Sequence, residues 1–157
     1  MNWTKLRELI EKSVPVAQDV NQFEFENLVR TGGKWDFKHQ YNSSWQDFGN
    51  YFFGLMGAAS HMFYKETLLR EAGINQCVNK NSLKAWGLPS EGPPYGDDPN
   101  DQYWIQQGWQ DYYDGLFVQP DYVGVKSQLA DIGEIYSQQR AANSPCPKKD
   151  DPKDCKK

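Results

Sequence analysis

The chain has 157 residues, a net charge of −4 and a pI near 5.2. That length supports one domain with a real core, and the acidic balance excludes a global basic field for nucleic acid or anionic membranes. The tail from Cys146 is locally basic, so the body is more acidic than the whole and phosphate binding would need a local patch. The start, "MNWTKLRELIEK", is too charged for a signal peptide, and no apolar run reaches the ~18 residues that span a bilayer. Membrane insertion is therefore not expected, and export would depend on a larger carrier. Aromatic residues make up 15%, including six Trp and nine Tyr, so the core and grooves should be built from rings with polar tips.

Taken along the chain, Trp3, Leu6, Leu9 and Ile10 form one face of a short helix over 3–12, with Asn2 as a cap. Past Pro15, the residues Val16, Val20, Phe23, Leu28 and Val29 fit a second helix that ends at Gly32, a residue free to turn left-handed. Residues 34–46 show neither period and read as an ordered loop anchored by Trp35, Phe37, Tyr41 and Trp45. Asp47 caps a third helix with Phe52, Leu55, Met56, Ala59, Met62 and Phe63 on one side and Gly54, Gly57 and Ala58 on the next stripe. Each interior glycine costs about 1 kcal/mol, so close approach of a backbone or a ligand is expected there.

"KETLLREAG" makes a fourth helix that stops at Gly73. A long Pro/Gly-rich segment then leads to "GDDPNDQYWIQQGWQDYY", the fifth helix, with Ile105, Trp109, Tyr112, Tyr113 and Leu116 inward. A sixth helix, about 122–142, turns Val125, Leu129, Ile132, Ile135 and Tyr136 inward. The expected fold is all-α: one domain over 1–142 of about six helices, with a long ordered loop before the fifth, and a flexible charged tail over 143–157. Of the three cysteines, Cys146 and Cys155 could close a small disulfide loop in the tail.

Asp98 is a good N-cap, Pro99 suits the first turn, and Asp101 at the third position complements the helix dipole. Capping leaves Asp97 unexplained. Two adjacent carboxyls repel, so one can keep its proton near neutral pH and act as a general acid. A Ca²⁺ or Mg²⁺ site is poorly supported, because the D-x-D-x-D-G spacing is absent. No metal or other cofactor is expected.

Four blocks, "GGKWDFK", "DFGNYFFGLMGAAS", "LLREAGINQ" and "GPPYGDDPNDQYWIQQGWQDYY", occur in this order. Together they resemble the bacterial polymorphic toxin type 44 domain over about Gly32 to Tyr113. Phe52 departs from the pattern, since many members carry a polar residue there. The resemblance implies a secreted antibacterial toxin domain, delivered into target bacteria by a larger exported protein and neutralised by a cognate immunity protein. The activity it implies is that of a ribonuclease. Polar positions matching the motifs are Asp36, Lys38, Asp47, Asn50, Arg70, Gln76, Asp97, Asp98, Asp101 and Gln102.

On an RNA target, Lys38, Arg70 and a carboxyl of the 97–101 cluster would supply charge and acid. His39 is the titrating base its intrinsic pKa offers, although a histidine beside a lysine is more often a solvent-exposed bystander, and His61 is expected to be packed. On peptidoglycan, Asp97 or Asp101 would work with Glu66 or Asp47 across a glycosidic bond, and Trp86, Tyr95 and Trp104 would stack on sugars. A non-enzymatic binding module is the third class. Lys38, Asp47, Arg70, Asp97 and Asp101 are thus the catalytic candidates, and Asp36, Asn50, Gln76, Asp98, Gln102, Trp86, Tyr95 and Trp104 the substrate-binding ones. The site is expected in a cleft between the glycine-bearing helix and the loop ending in Asp101.

Overall fold

A computed structural model describes residues 3–40, 43–117 and 126–150. Its described residues form seven helices: α1 Trp3–Asp19, α2 Gln22–Val29, α3 Phe37–Gln40, α4 Gln46–Ser60, α5 Lys65–Val78, α6 Pro99–Tyr113 and α7 Ser127–Asn143. The fold is all-α, as the periodicities require. Two short strands, β1 Ser82–Leu83 and β2 Lys148–Lys149, pair in parallel. No described helix is long and apolar enough to cross a membrane.

Helix α4 is the central element. Phe52, Leu55, Met56 and Ala59 are fully buried, and Met62 and Phe63 follow them into the core, so the face read from spacing is the packed one. Around it lie Ile10, Val14 and Ala17 of α1, Phe25 of α2 and Ile105 and Tyr112 of α6. Rings hold the layers together: Phe37 and Trp35 both meet Phe52 edge-on. The chain leaves α4 at His61, which is left-handed (φ 57°) and buried, with its Nε2 2.9 Å from the Tyr112 hydroxyl.

Several boundaries differ from the sequence reading. Pro15 lies inside α1 and does not divide it. The buried face continues across it as Ile10, Ser13, Val14 and Ala17, while Pro15 itself faces solvent, where water can satisfy the carbonyl it leaves without a partner. The second helix starts later, at a cap made by Asn21, whose Oδ1 accepts the Glu24 amide at 2.8 Å. Gly32 does turn left-handed, at φ 79°. Residues 34–46 hold α3 and a 3₁₀ turn, with Trp35 and Phe37 buried and Trp45 half-buried; Tyr41 lies outside the described residues. Asp47 does not cap α4; Trp45 holds that position without a side-chain bond.

Gly73 does not stop α5, which runs on to Val78. A Cβ there would lie 2.0 Å from the Tyr95 carbonyl oxygen, so the glycine admits the returning loop against the helix. On α6, Trp109 and Tyr113 are half-buried, and Leu116, beyond the helix end, is exposed.

The largest correction concerns α7. Leu129, Ile132, Ile135 and Tyr136, expected inward, are all exposed, at 40–62%; Val125 is outside the described residues. The buried positions are Ala130, Ser137 and Ala141. Small residues let α7 lie close to α5, and Glu134 accepts from Thr67 and Arg70 of that helix, so polar anchors fix the rotation that apolar periodicity misassigned.

The cysteine pairing also differs. Cys146 is bonded to Cys77, 69 residues away, which excludes a Cys146–Cys155 loop; Cys155 itself lies outside the described residues.

Candidate functional site

The long loop delivers its acidic cluster through a sharp turn. Tyr95 has φ 60° and Gly96 φ 81°. A left-handed tyrosine is unfavourable and persists only where surroundings hold it. Its ring is buried and lies under the Arg70 guanidinium at 5.4 Å. Asp98 then caps α6, its Oδ1 accepting the Asn100 amide at 2.8 Å, with Pro99 in the first turn as expected.

Asp97 and Asp101 are drawn inward instead, at 2% and 6% exposure. Gln102 donates to Asp97 Oδ2 at 2.7 Å and, from the same nitrogen, to the Leu69 carbonyl at 3.0 Å. Burial pushes the Asp97 carboxyl up to about 7, aided by the nearby Asp101 charge and opposed by the Gln102 bond. Gln46 Nε2 donates to both oxygens of Asp101, at 3.0 and 2.9 Å. Burial likewise raises Asp101 to about 6; the Gln46 bond and the Lys38 charge act in the opposite sense, and Asp98 and Asp47 add to the rise. Both groups can therefore carry a proton close to neutral pH, as a general acid must.

Both carboxyls line a cavity of about 760 Å³. On its wall, Asp36 accepts the Gly32 amide at 2.9 Å and sits 2.6 Å from His39 Nδ1. That contact fixes which ring nitrogen of His39 is left for other chemistry. Lys38 is the neighbouring cation, and Asn50 and Gln76 also line the space. Polar residues from all four sequence blocks thus converge on one cavity: Asp36 and Lys38, Asn50, Gln76, and Asp97 with Asp101.

The remaining candidates lie elsewhere. Asp47 is exposed and accepts from Asn100 Nδ2 at 2.8 Å. Glu66 is exposed in the first turn of α5. Asp98 is the cap, and Gln102 is buried behind Asp97. Arg70 pairs with Glu134 and, with Tyr95, borders a separate hollow of about 440 Å³. Trp86 is half-buried, its carbonyl accepting the Gly96 amide at 2.9 Å. Trp104 is half-buried edge-on to Tyr103. Among the described residues no group of three or more His, Cys, Asp or Glu is placed to hold a metal ion.

The space does not arise where the α4 glycines suggested. A Cβ on Gly54 would lie 1.9 Å from the Ile105 carbonyl oxygen, and one on Gly108 1.9 Å from that of Tyr51. These glycines close the α4–α6 seam backbone to backbone, and Gly57 receives the Leu68 side chain. Open space adjoins Gly49 instead, one turn nearer the start of α4, where a Cβ would meet nothing within 4 Å. Sequence reasoning gave no role to Gln46, whose bond to Asp101 spans 55 positions, or to Glu71, a cavity residue raised by burial and paired with Arg140. Gln46 lies just outside the second block, and Glu71 lies inside "LLREAGINQ" but is not one of its motif-matching polar positions. Comparison with family models, curated proteins and solved structures gives no match to this chain.

Proposed function

We propose that the chain is a hydrolase domain of a secreted antibacterial toxin and that it cleaves RNA by acid–base catalysis. The observation that carries this reading is the convergence of the four toxin-like blocks on one cavity holding an acid, a cation and a histidine. His39, oriented by Asp36, takes the proton of a 2′-hydroxyl, and the freed oxygen attacks the adjacent phosphorus. Lys38 offsets the charge that builds on the phosphoryl oxygens. Asp101, protonated through burial, gives its proton to the departing 5′ oxygen, leaving a 2′,3′-cyclic phosphate. Asp97 lines the same cavity, held by the Gln102 amide at 2.7 Å, and takes a supporting place beside Asp101.

The peptidoglycan alternative asks for two carboxyls flanking a glycosidic bond. The partners expected there for Asp97 or Asp101, Glu66 and Asp47, are exposed and do not line the cavity, which favours the RNA reading. The Cys77–Cys146 bond agrees with passage through an oxidising compartment, as export requires. A cognate immunity protein and a larger exported carrier are the partners this role implies.

The test incubates the purified chain with RNA and, separately, with peptidoglycan sacculi. RNA fragments ending in 2′,3′-cyclic phosphate are expected, with kcat declining as pH rises past about 6, where Asp101 loses its proton. Asp101→Asn should lose about 10²- to 10⁴-fold in rate while keeping its helical signal. Sacculus turnover with intact RNA would replace this reading by the glycan one.

A further inference from the structure

The segment after α7 closes against the back of the turn that carries the acids. Cys146 is bonded to Cys77, the penultimate residue of α5, and the Cys77 sulfur lies against Gly96, where a Cβ would be 3.0 Å from it. Gly96 immediately precedes Asp97. Two residues beyond Cys146, Lys148 Nζ donates to Ser82 Oγ at 2.7 Å and to the Gly87 carbonyl. Ser82 Oγ in turn donates to the Gly96 carbonyl at 2.6 Å. The Gly96 amide donates to Trp86 O at 2.9 Å and the Asp97 amide to Pro94 O at 3.0 Å. The turn is therefore backed by the Cys77 sulfur, which the disulfide ties to the segment after α7, and by a chain of hydrogen bonds that starts on Lys148.

The other contacts of this segment are weaker. Lys149 Nζ reaches Asn81 Oδ1 at 2.9 Å, and the Lys84–Asp150 pair is about two-thirds exposed. Exposed pairs of that kind contribute little against water and salt. Loss of the sulfur–sulfur bond leaves the segment to a two-residue strand pair, the Lys148 and Lys149 hydrogen bonds and the exposed Lys84–Asp150 pair.

We propose that the Cys77–Cys146 bond is a redox-dependent brace for the site: the oxidised chain holds Asp97 and Asp101 at the cavity, and reduction releases the support behind them. The inference rests on the reading of that cavity as the active site. Cys77 is fully buried and Cys146 half-buried, so a reducing thiol enters at Cys146. One thiolate of a dithiol attacks the Cys146 sulfur, and the S–S electron pair leaves on Cys77, which takes a proton. The second thiol then attacks the mixed disulfide, freeing Cys146 as a thiol and closing the reagent's own disulfide. The protein gains two electrons and two protons, and the dithiol is oxidised.

The experiment compares the oxidised chain, the dithiothreitol-reduced chain, Cys146→Ser and Lys148→Met. It reads amide hydrogen exchange at Gly96 and Asp97 alongside kcat and KM on RNA. Reduction should speed exchange at these two amides about tenfold or more while amides of α4 stay protected. It should lower kcat about 10- to 100-fold with KM nearly unchanged, because the acid is misplaced and the cavity is kept. Reoxidation should restore both readings, and Cys146→Ser should already show the reduced behaviour and ignore the reagent. Lys148→Met, which keeps the covalent bond, should fall between the two states.

Unchanged exchange at the turn after reduction would overturn the brace, as would loss of protection throughout the fold, which would make the bond a general staple. Absence of turnover in every form would reject the hydrolase reading alone, since exchange still decides whether the brace exists.

Discussion

Two helix pairings in this molecule solve the same problem by different chemistry. At the α4–α6 seam, Gly54 and Gly108 each admit the other helix's backbone, and apolar residues such as Leu55 and Ile105 fill the contact, with polar bonds such as Gln46–Asp101 and Tyr51–Asp111 along its sides. At the α5–α7 seam, Ala130, Ser137 and Ala141 provide closeness, but direction comes from Glu134 bound to Thr67 and Arg70. The first seam fixes α6, and with it Asp101 in its first turn. The second leaves the apolar side of α7 facing outward. Periodicity therefore locates a helix's buried face only where apolar packing is what sets its rotation.

The sharpest way to break the first seam is Gly54→Ala. Its Cβ has backbone in the way rather than a movable side chain, so a loss of about 3–5 kcal/mol is expected in denaturant unfolding. A loss below about 1 kcal/mol would show that the seam can spread.

The acid pocket at the end of this seam gives the next effect. Burial raises Asp97 from 3.8 to about 7, so the folded chain holds this proton more tightly than the unfolded one. The resulting stabilisation is complete below about pH 3.8 and is lost as pH climbs through about 7. Asp97→Asn cannot ionise and should flatten that decline, making it about 2–4 kcal/mol more stable than the wild type at pH 8 and little different near pH 4. Parallel stability–pH curves for the two proteins would contradict a desolvated Asp97.

At the second seam, Arg70→Met removes the cation from a mostly buried pair while Glu134 keeps Thr67 and Gln138 as donors. About 2 kcal/mol should be lost. The smallest change belongs to Ile135→Gln on the outward face, where 56% exposure limits the effect to about 0.5 kcal/mol. A loss of 2 kcal/mol there would mean that α7 is rotated and that the contrast between the seams is wrong.

Legibility followed the range of the interactions. The α6 start was readable because Asp98, Pro99 and Asp101 act within one turn of backbone. The α4 core face was readable because its apolar side chains dominate their own packing. Gly73 and Pro15 misled because each is a breaker only when nothing else occupies or supports its position, and here the Tyr95 carbonyl and the α1 core face do. Of the site, Asp36, Lys38, Asn50, Gln76, Asp97 and Asp101 were named from motifs, whereas their shared cavity and the Gln46 donor depend on distant pairings.

By itself, the order of residues determined the all-α class, the α4 core face and the capped start of α6, since these depend on neighbours three or four positions apart. Tertiary structure alone decided that the α4 glycines seal a seam, that α7 turns its apolar side out, that Cys146 joins Cys77, and that Asp97 and Asp101 are desolvated. The physical reason is that backbone contact, ion pairing across helices and burial are properties of elements brought together from far along the chain. No local pattern encodes what lies on the other side of a contact.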